Sequence, residues 1–574
     1  MKLVLCTSLL FLPLTTLAVT EIELNELAFA ETAVASQNVT EALANLGDIN
    51  GDGYEDVAIG APSANAVYLL YGQASRFDEV VIDDLPAFHG EDDGDQLGSA
   101  IAGVGDLNVD GYDDFVVTSI YHDTALTNPG TVYLIYGQAD TFTTQTVANR
   151  PRWSGEDKND HAGVSVTGAG DLNNDGFADM AIGTTWHNDR SGGVYLIYGQ
   201  AVAFAGEYDL ADQPLLAGAD DYDYAGTAMV AGDVTDDGLS DLVVSATKYD
   251  GAERDVGAVY TVPGKTSQYV SANLSTFTTI TGSSKRERIG SSLAIVGSAI
   301  YIGAPYNDSA GDNAGVVYIN STATKLTGAA AGDLFGKSLA TFADGVLIGA
   351  PSELDPQAGS AWVHTTTGDT ALVGEVAGDQ AGYTVATADV DGDGQAELLI
   401  GAPDYGPSSG RLYIGYWPIY TCDNSAALGG ILANYPTADY KHRKYAKNKK
   451  MRIVVERRGQ QAFLINCNAN KIQQTLTFNT RVQRKILARV FSARNVKLFI
   501  VVTRTPSKRK IKVFLYKQTK TQLLETDQFT RKWRPRGLRI KIKRRNRVVL
   551  QKGAELKHRL RYSVSRTLTL NELD

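Results

Sequence analysis

Cysteine is nearly missing from this 574-residue chain, which has three, at positions 6, 422 and 467. That is too few for a scaffold held together by disulfides. No apolar run after residue 18 is long enough to span a membrane. Histidine is scarce too, and the seven present (89, 122, 161, 187, 364, 442, 558) form no H-E-x-x-H or i,i+4 pair. A hydrophobic fraction of 43% excludes a largely disordered chain, and the length exceeds one ordinary core. Acidic residues are almost lacking at one end. Residues 421–574 hold 38 basic and 8 acidic side chains, whereas residues 1–420 hold 15 basic and 58 acidic. A net charge of −13 thus hides a segment of +30 behind one of −43, which argues for two modules with different partners.

Met1-Lys2 is followed by LVLCTSLLFLPLTTLA and then by polar residues, with Thr16 and Ala18 at −3 and −1. This reads as a secretory signal peptide over 1–18, the alternative being a buried first strand. Cleavage there leaves Cys422 and Cys467. In an oxidising compartment these could pair, or they could remain two reduced, buried thiols.

Internal repetition dominates what is present. NLGDINGDGYEDVAIGAP (45–62), GVGDLNVDGYDDFVVTS (103–119), GAGDLNNDGFADMAIGT (168–184), VAGDVTDDGLSDLVVSA (230–246) and ATADVDGDGQAELLIGAP (386–403) are full copies. VGSAIYIGAP (296–305) and ADGVLIGAP (343–351) are shortened ones. Each copy leads to a second apolar strand: VYLLYGQ (67–73), VYLIYGQ (132–138, 194–200), VYTVPG (259–264), VVYIN (316–320), AWVHT (361–365) and LYIGY (412–416). Seven units of about 53 residues fill 45–417. Short β-type runs between Gly, Asp and Asn turns, with no helical period, predict small antiparallel sheets. Packing such sheets radially buries both faces and leaves few edges, which predicts a ring; an open solenoid is the alternative.

The units resemble FG-GAP repeats, the family that builds the seven-bladed propeller of integrin alpha subunits. Both halves of the name occur in repeat 6, as Phe335-Gly336 and Gly349-Ala350-Pro351, and GAP recurs at 60–62, 303–305 and 401–403. At the first position other repeats read Leu97-Gly98, Ala162-Gly163, Ala225-Gly226, Ile289-Gly290 and Ala381-Gly382, keeping only the glycine. The resemblance covers about 370 residues and stops before 421. The predicted fold is all-β: a seven-bladed β-propeller within 19–420, a linker at 421–440 and a basic β-rich module over 441–574.

Five repeats carry an acidic loop. Its residues at positions 1, 3, 5, 7 and 9 are Asp48, Asn50, Asp52, Tyr54 and Asp56 in the first, with Asp106, Asn108, Asp110, Tyr112 and Asp114 in the second. The third has Asp171, Asn173, Asp175, Phe177 and Asp179; the fourth has Asp233, Thr235, Asp237, Leu239 and Asp241. The last has Asp389, Asp391, Asp393, Gln395 and Glu397. Oxygens at 1, 3 and 5 converge if the chain curls tightly, and Gly at position 6 permits that curl. A carbonyl at 7 and a carboxylate at 9 would complete a hard oxygen cage suited to Ca²⁺. Position 12, where an EF-hand needs an acid, is Ile59, Val117, Ile182, Val244 and Ile400, so an EF-hand is excluded. The alternative is an Asp-rich turn whose side chains only cap backbone amides. The integrin resemblance implies calcium in such hairpin loops. Up to five structural Ca²⁺ sites are expected, with affinities of roughly 10⁻⁴–10⁻³ M sufficing outside a cell. Thr235 is a weaker ligand and Glu397 is longer by a methylene, so those two sites are expected to be weak or empty.

No catalytic constellation emerges. Gly406-Pro407-Ser408-Ser409-Gly410 matches G-x-S-x-G, but a strand follows where a nucleophile elbow needs a helix. Ala331–Ser338 ends like a phosphate-binding loop yet lacks its first glycine. His161 and His187 fall in third-repeat loops, where they could touch a ligand. In the tail, RIVVERRGQQAFLIN (452–466), KLFIVVTRTPSKRKIKVFLY (497–516) and LRIKIKRRNRVVL (538–550) each predict two strands around a turn, with cations on one face. That face could be plain solvated surface, dock on the acidic propeller or bind an anionic surface polymer. Nucleic acid fits poorly with an exported chain lacking a recognised nucleic-acid motif. The resemblance implies an exported or cell-surface binding and adhesion module, not an enzyme, with protein or glycan ligands on one rim. A surface-layer component anchored by its tail, and a hydrolase-associated propeller, are the alternatives.

Overall fold

The computed structural model describes residues 20–24, 27–31, 38–77, 79–342, 345–353, 357–366 and 368–416, and the backbone of strands between 440 and 567. The signal segment 1–18, the three cysteines and most of the 421–440 linker lie outside the described residues. The chain divides into two compact units, Met1–Trp417 and Pro418–Asp574.

In the first unit seven sheets run in chain order, each a meander of four antiparallel strands. Their inner strands are Ala42–Gly47, Leu97–Gly105, Ser165–Gly170, Ala225–Gly232, Ser292–Val296, Leu339–Phe342 and Val385–Ala388. Each inner strand touches the next, and the seventh touches the first, so the sheets close into a seven-bladed propeller. The second strands of six blades, among them Asp56–Ala61, Asp114–Ser119 and Glu397–Ala402, are buried at every residue, and Ala299–Ala304 of blade 5 at four of its six. This is why they read as continuous apolar runs instead of alternating ones. The core lies between neighbouring blades, as where Leu69 and Phe88 of blade 1 meet Phe115, Tyr133 and Phe142 of blade 2.

The small residues explain how blades approach so closely. The glycine of the GAP strand in one blade lies against the glycine that opens the next: a Cβ on Gly60 would sit 2.5 Å from the Gly98 carbonyl oxygen, and one on Gly183 2.5 Å from that of Gly226. Gly303 meets Gly336 and Gly349 meets Gly382 in the same way. In blades 2 and 4 the place is taken by Thr118 and Ser245, which contact Gly163 and Gly290. The opening glycines all have positive φ, between +82° and +94° for these six, so both halves of the repeat demand glycine for separate reasons.

At the ring's closure the pattern breaks. Thr40 stands where blade 1 needs that glycine, is buried, and holds φ at +75°, an outlying conformation for a β-branched residue. Its hydroxyl makes a long 3.4 Å bond to the Arg411 carbonyl. Thr40→Gly is therefore expected to stabilise the fold by about 1 kcal/mol, seen as a raised melting temperature. An unchanged or lowered value would show that the threonine is unstrained.

The strands that precede blade 1 are divided between two other blades. Thr20–Glu23 runs parallel to Gly368–Val373 as a fifth strand of blade 6. Ala28–Glu31 pairs antiparallel with Arg411–Gly415 as the fourth strand of blade 7. The repeat itself dictates this division. Glu79–Val81, Gln145–Thr146, Glu207–Asp209 and Ala272–Asn273 likewise cross to the preceding blade before their own fourth strand begins. A fully buried aliphatic pins each crossover: Leu24, Ile82, Val147, Leu210 and Leu274.

In the second unit the backbone forms three antiparallel sheets. The basic segments contribute the hairpins Met451–Glu456 with Gln461–Asn466, Val496–Thr505 with Lys510–Gln518, and Leu538–Lys543 with Arg547–Lys552.

Candidate metal sites and the opposite rim

In a meander, the turns between strands 1 and 2 and between strands 3 and 4 share one rim, and the remaining loops share the other. The five acidic loops are all turns between strands 1 and 2. Blade 5 makes that connection by a tight turn, pairing Val296 with Ala299.

Position 1 does the same thing in all five loops. The carboxylates of Asp48, Asp106, Asp171, Asp233 and Asp389 each accept the amides of positions 5 and 6, at 2.8–3.0 Å. The position-5 aspartates 52, 110, 175, 237 and 393 accept the amide of position 7, that is of Tyr54, Tyr112, Phe177, Leu239 and Gln395. Asn50, Asn108 and Asn173 accept the position-5 amide. These bonds curl the chain as the spacing requires and use only part of each carboxylate's capacity, since an ionised carboxylate offers about four lone-pair sites.

Position 9 lies deeper. Asp56, Asp114, Asp179, Asp241 and Glu397 are buried and accept the amide of position 2. The four aspartates also take the amide of Gly72, Gly137, Gly199 or Gly264 after the third strand. Burial pushes the carboxyls of Asp56, Asp114 and Asp179 up to about 7 and that of Glu397 to about 8, with neighbouring carboxylates adding to the shift. A cation in the loop would act in the opposite direction. In blade 7, oxygens of Asp389, Asp391 and Glu397 lie within 4.8 Å of one another. There Asp391 Oδ1 is buried without a hydrogen-bond partner among the described residues, as expected of a donor turned toward an ion. With oxygen donors throughout, the loops fit a hard divalent cation.

Position 8, which sequence reasoning passed over, links the loops into a chain. Asp113 accepts the Asp48 amide at 2.8 Å, Glu55 accepts the Asp389 amide at 2.6 Å, and Ser240 donates to the Ala169 carbonyl at 2.7 Å. Tyr112 covers Gly51 and Tyr54 covers Gly392 of the preceding loops. The tyrosine just after the third strand, followed by glycine in blades 1, 2 and 3, works likewise. The hydroxyls of Tyr71, Tyr136, Tyr198 and Tyr416 accept amides of Phe142, Phe204, Tyr269 and Phe77, each in the next blade. The YG repetition in sequence was the available signal.

On the opposite rim, the loop entering a blade carries D-x-Φ-G, where Φ is apolar. Asp95, Asp160, Asp223, Asp333 and Asp379 each cap their own loop by accepting an amide three residues back. Two of them meet histidines: Asp95 with His122 at 3.0 Å, and Asp160 with His187 at 3.4 Å. Glu156 lies 3.3 Å from the other nitrogen of His187, and the bond to Asp160 raises that imidazole's pKa. The capping role recurs in blades without the histidine, so these pairs belong to the fold. His161 stacks on Trp186 at 4.9 Å and faces Tyr121 at 5.0 Å, while Arg190 lies 4.3 Å from the same Trp186 ring.

A family profile described as FG-GAP repeat matches residues 40–70, 162–197 and 381–414, the first three strands of blades 1, 3 and 7. The chain is 30% identical to integrin alpha-6 of Homo sapiens over 145 residues, 24% of this chain and 12% of that protein. It is 30% identical to integrin alpha pat-2 of Caenorhabditis elegans over 161 residues, 24% and 12% respectively. Against integrin alpha-5 of Xenopus laevis it is 27% identical over 217 residues, 35% of this chain and 19% of that one. Residues 38–416 form an FG-GAP propeller of the integrin alpha type. The matches span less than a fifth of these relatives' length.

Within the FG-GAP propeller the blade 7 loop differs in one respect. Arg76, from blade 1, places its guanidinium 3.1 Å from Asp391 and 3.5 Å from Asp393, and stacks on Tyr416 at 4.3 Å. A resident cation competes there with any metal. Arg76→Gln is expected to tighten calcium binding at this loop by about tenfold, consistent with removing one charge-assisted contact. Isothermal titration against the parent protein checks this, and an unchanged isotherm would dismiss the competition. In blade 4, Asp241 takes the amides of both Val234 and Thr235. The G-x-S-x-G match is the loop that feeds Arg411–Gly415, with one helical turn at Tyr405–Ser408 before the strand, the reverse of an elbow.

Proposed function

We propose that this chain is an extracellular binding and adhesion module. Its propeller is braced by calcium in the acidic hairpins of one rim and meets protein or glycan ligands through the loops of the other. Positions 1, 3, 5 and 9 of each loop, with the carbonyls of Tyr54, Tyr112, Phe177, Leu239 and Gln395, are the proposed ligands. The division of labour between the rims carries the reading. One rim is committed to repeated acidic turns that lock blade to blade, whereas the loops of the other share the capping aspartate and otherwise differ between blades, with Trp186 and Tyr222 exposed among them. Repeated turns suit a structural task, and variable loops on a rigid scaffold suit recognition. The named integrin alpha relatives support the adhesion role, and the basic C-terminal unit is assigned to an anionic surface polymer.

The test is retention of the full chain on arrays of matrix proteins and glycans, in calcium and in chelator. Retention that needs calcium, and that is lost on substituting loops of the variable rim, is the expected result. Salt-sensitive retention indifferent to both would instead establish a surface component held by its tail.

A further inference from the structure

Between blades 3, 4 and 5 the variable rim opens into a cleft of about 930 Å³. Its charge is at odds with the domain around it. Residues 1–420 contain 15 basic side chains against 58 acidic ones, yet five of those fifteen, Arg190, Lys248, Arg254, Arg286 and Arg288, line this one cleft. They come from three separate loops, those between Thr184 and Gly193, between Ala246 and Ala258, and between Thr281 and Ser292. Arg254 pairs with Asp255 at 3.6 Å; the other four make no ion pair within 4 Å among the described residues. Instead Arg190 and Lys248 lie over Tyr222 and Tyr224, at 5.8 and 4.1 Å, and the Arg288 Nε is buried without a hydrogen-bond partner. In a domain rich in carboxylates, cations gathered together and left unpaired are poised for an anion brought from outside.

Five carboxylates, Asp220, Asp221, Asp223, Asp250 and Asp255, also line the cleft and balance its cations in number, and Tyr222 is 57% exposed at its mouth. A purely acidic peptide would meet these carboxylates as repulsion. A ligand with many hydroxyls and one or two anionic groups would use both signs: hydroxyls donate to Asp220 and Asp250, guanidinium groups grip a carboxylate or sulfate in bidentate fashion, and a sugar ring lies on Tyr222. We propose that the cleft between blades 3, 4 and 5 binds an acidic saccharide bearing a carboxylate or sulfate. This deepens the reading of the variable rim as a recognition surface and rests on it.

The test uses the full chain and a small probe, a disaccharide carrying one glucuronate and one sulfate. Its neutral counterpart and a glutamate-rich hexapeptide are the comparisons. Binding is followed by saturation-transfer NMR and calorimetry in the parent and in Arg190→Ala, Arg288→Ala, Tyr222→Ala and Lys325→Ala, each checked by melting for an intact fold. The first three are expected to weaken the acidic disaccharide about tenfold or more, in keeping with the loss of a charge-assisted or stacking contact. Lys325→Ala, outside the cleft, is expected to change nothing, and the neutral disaccharide to bind at least tenfold more weakly than the acidic one. Equal affinity in all four variants, no binding to the parent, or tighter binding of the hexapeptide would each overturn the assignment. If one of these occurs while the parent keeps calcium-dependent retention on matrix arrays, only the saccharide assignment falls; if the parent shows no such retention, the adhesion reading falls with it.

Discussion

Removing calcium will lower the melting temperature of this protein by roughly 5 °C, on the following grounds. A site occupied at ten times its dissociation constant stabilises the folded state by about 1.4 kcal/mol. Affinities near 10⁻⁴ M in about 1 mM calcium meet that condition, and the three loops of blades 1, 2 and 3, which carry neither the threonine nor the competing arginine, sum to about 4 kcal/mol. For the roughly 380 propeller residues the unfolding entropy is about 0.8 kcal/mol per degree, which converts that sum into the shift stated. The loops have a second possible use, because every position-1 aspartate caps two amides, as a metal-free turn would also require. The two uses separate experimentally. If capping is all the carboxylates do, a chelator leaves the melting curve where it was. If they hold ions, the parent melts lower in chelator, and Asp48→Asn with Asp106→Asn narrows the gap between the two conditions. Calorimetry with and without calcium decides, and coincident curves would end the metal reading.

The ring, its seven-fold number and the acidic turns were legible because each is written locally and repeated. A strand buried on both faces is a run such as DVAIGA, and a tight curl is D-x-N-x-D-G; neither needs knowledge of what lies across space. The fourth strands were not legible. Outside blade 6 they are only three or four residues long, and the sole mark before several of them is one buried aliphatic, as in Ile82, Leu210 and Leu274. Position 8 stayed hidden for a related reason: Glu55, Asp113 and Ser240 differ in chemistry, and their common task appears only once the preceding blade's loop lies beside them. The cleft was least accessible of all. Arg190 and Arg288 are 98 positions apart in the chain, and a charge count along the sequence shows an acidic domain with a few scattered cations. Function written on one loop can be read from sequence, whereas function assembled by several blades waits for the ring.

Deleting residues 20–31 will prevent the chain from yielding a soluble, cooperatively melting propeller. The segment supplies the fourth strand of the last blade, pairing Ala28 with Ile414 and Glu31 with Arg411, and in turn carries Glu79–Val81 of blade 1. Without it Arg411–Gly415, now buried throughout, becomes an open edge, and the fully buried Leu412 and Ile414 face water along with the site vacated by Leu24 and Ala30. Each large aliphatic exposed costs about 1.5–3 kcal/mol, and unpaired strand edges favour association between chains. The sum approaches the whole stability of an ordinary domain, about 5–15 kcal/mol. Loss of solubility alone could reflect any damage, so the informative experiment moves the segment. In blade 1 the third strand ends at Leu70 and the crossover begins at Glu79, eight residues on. Placing residues 20–31 after Tyr416 through a linker of about that length makes blade 7 read in the same order as its neighbours, at little entropic cost. The permuted chain is expected to regain solubility and a cooperative transition, which the deleted chain lacks. A deleted chain that melts like the parent, or a permuted one that stays insoluble, would mean the ring is closed by something other than this strand.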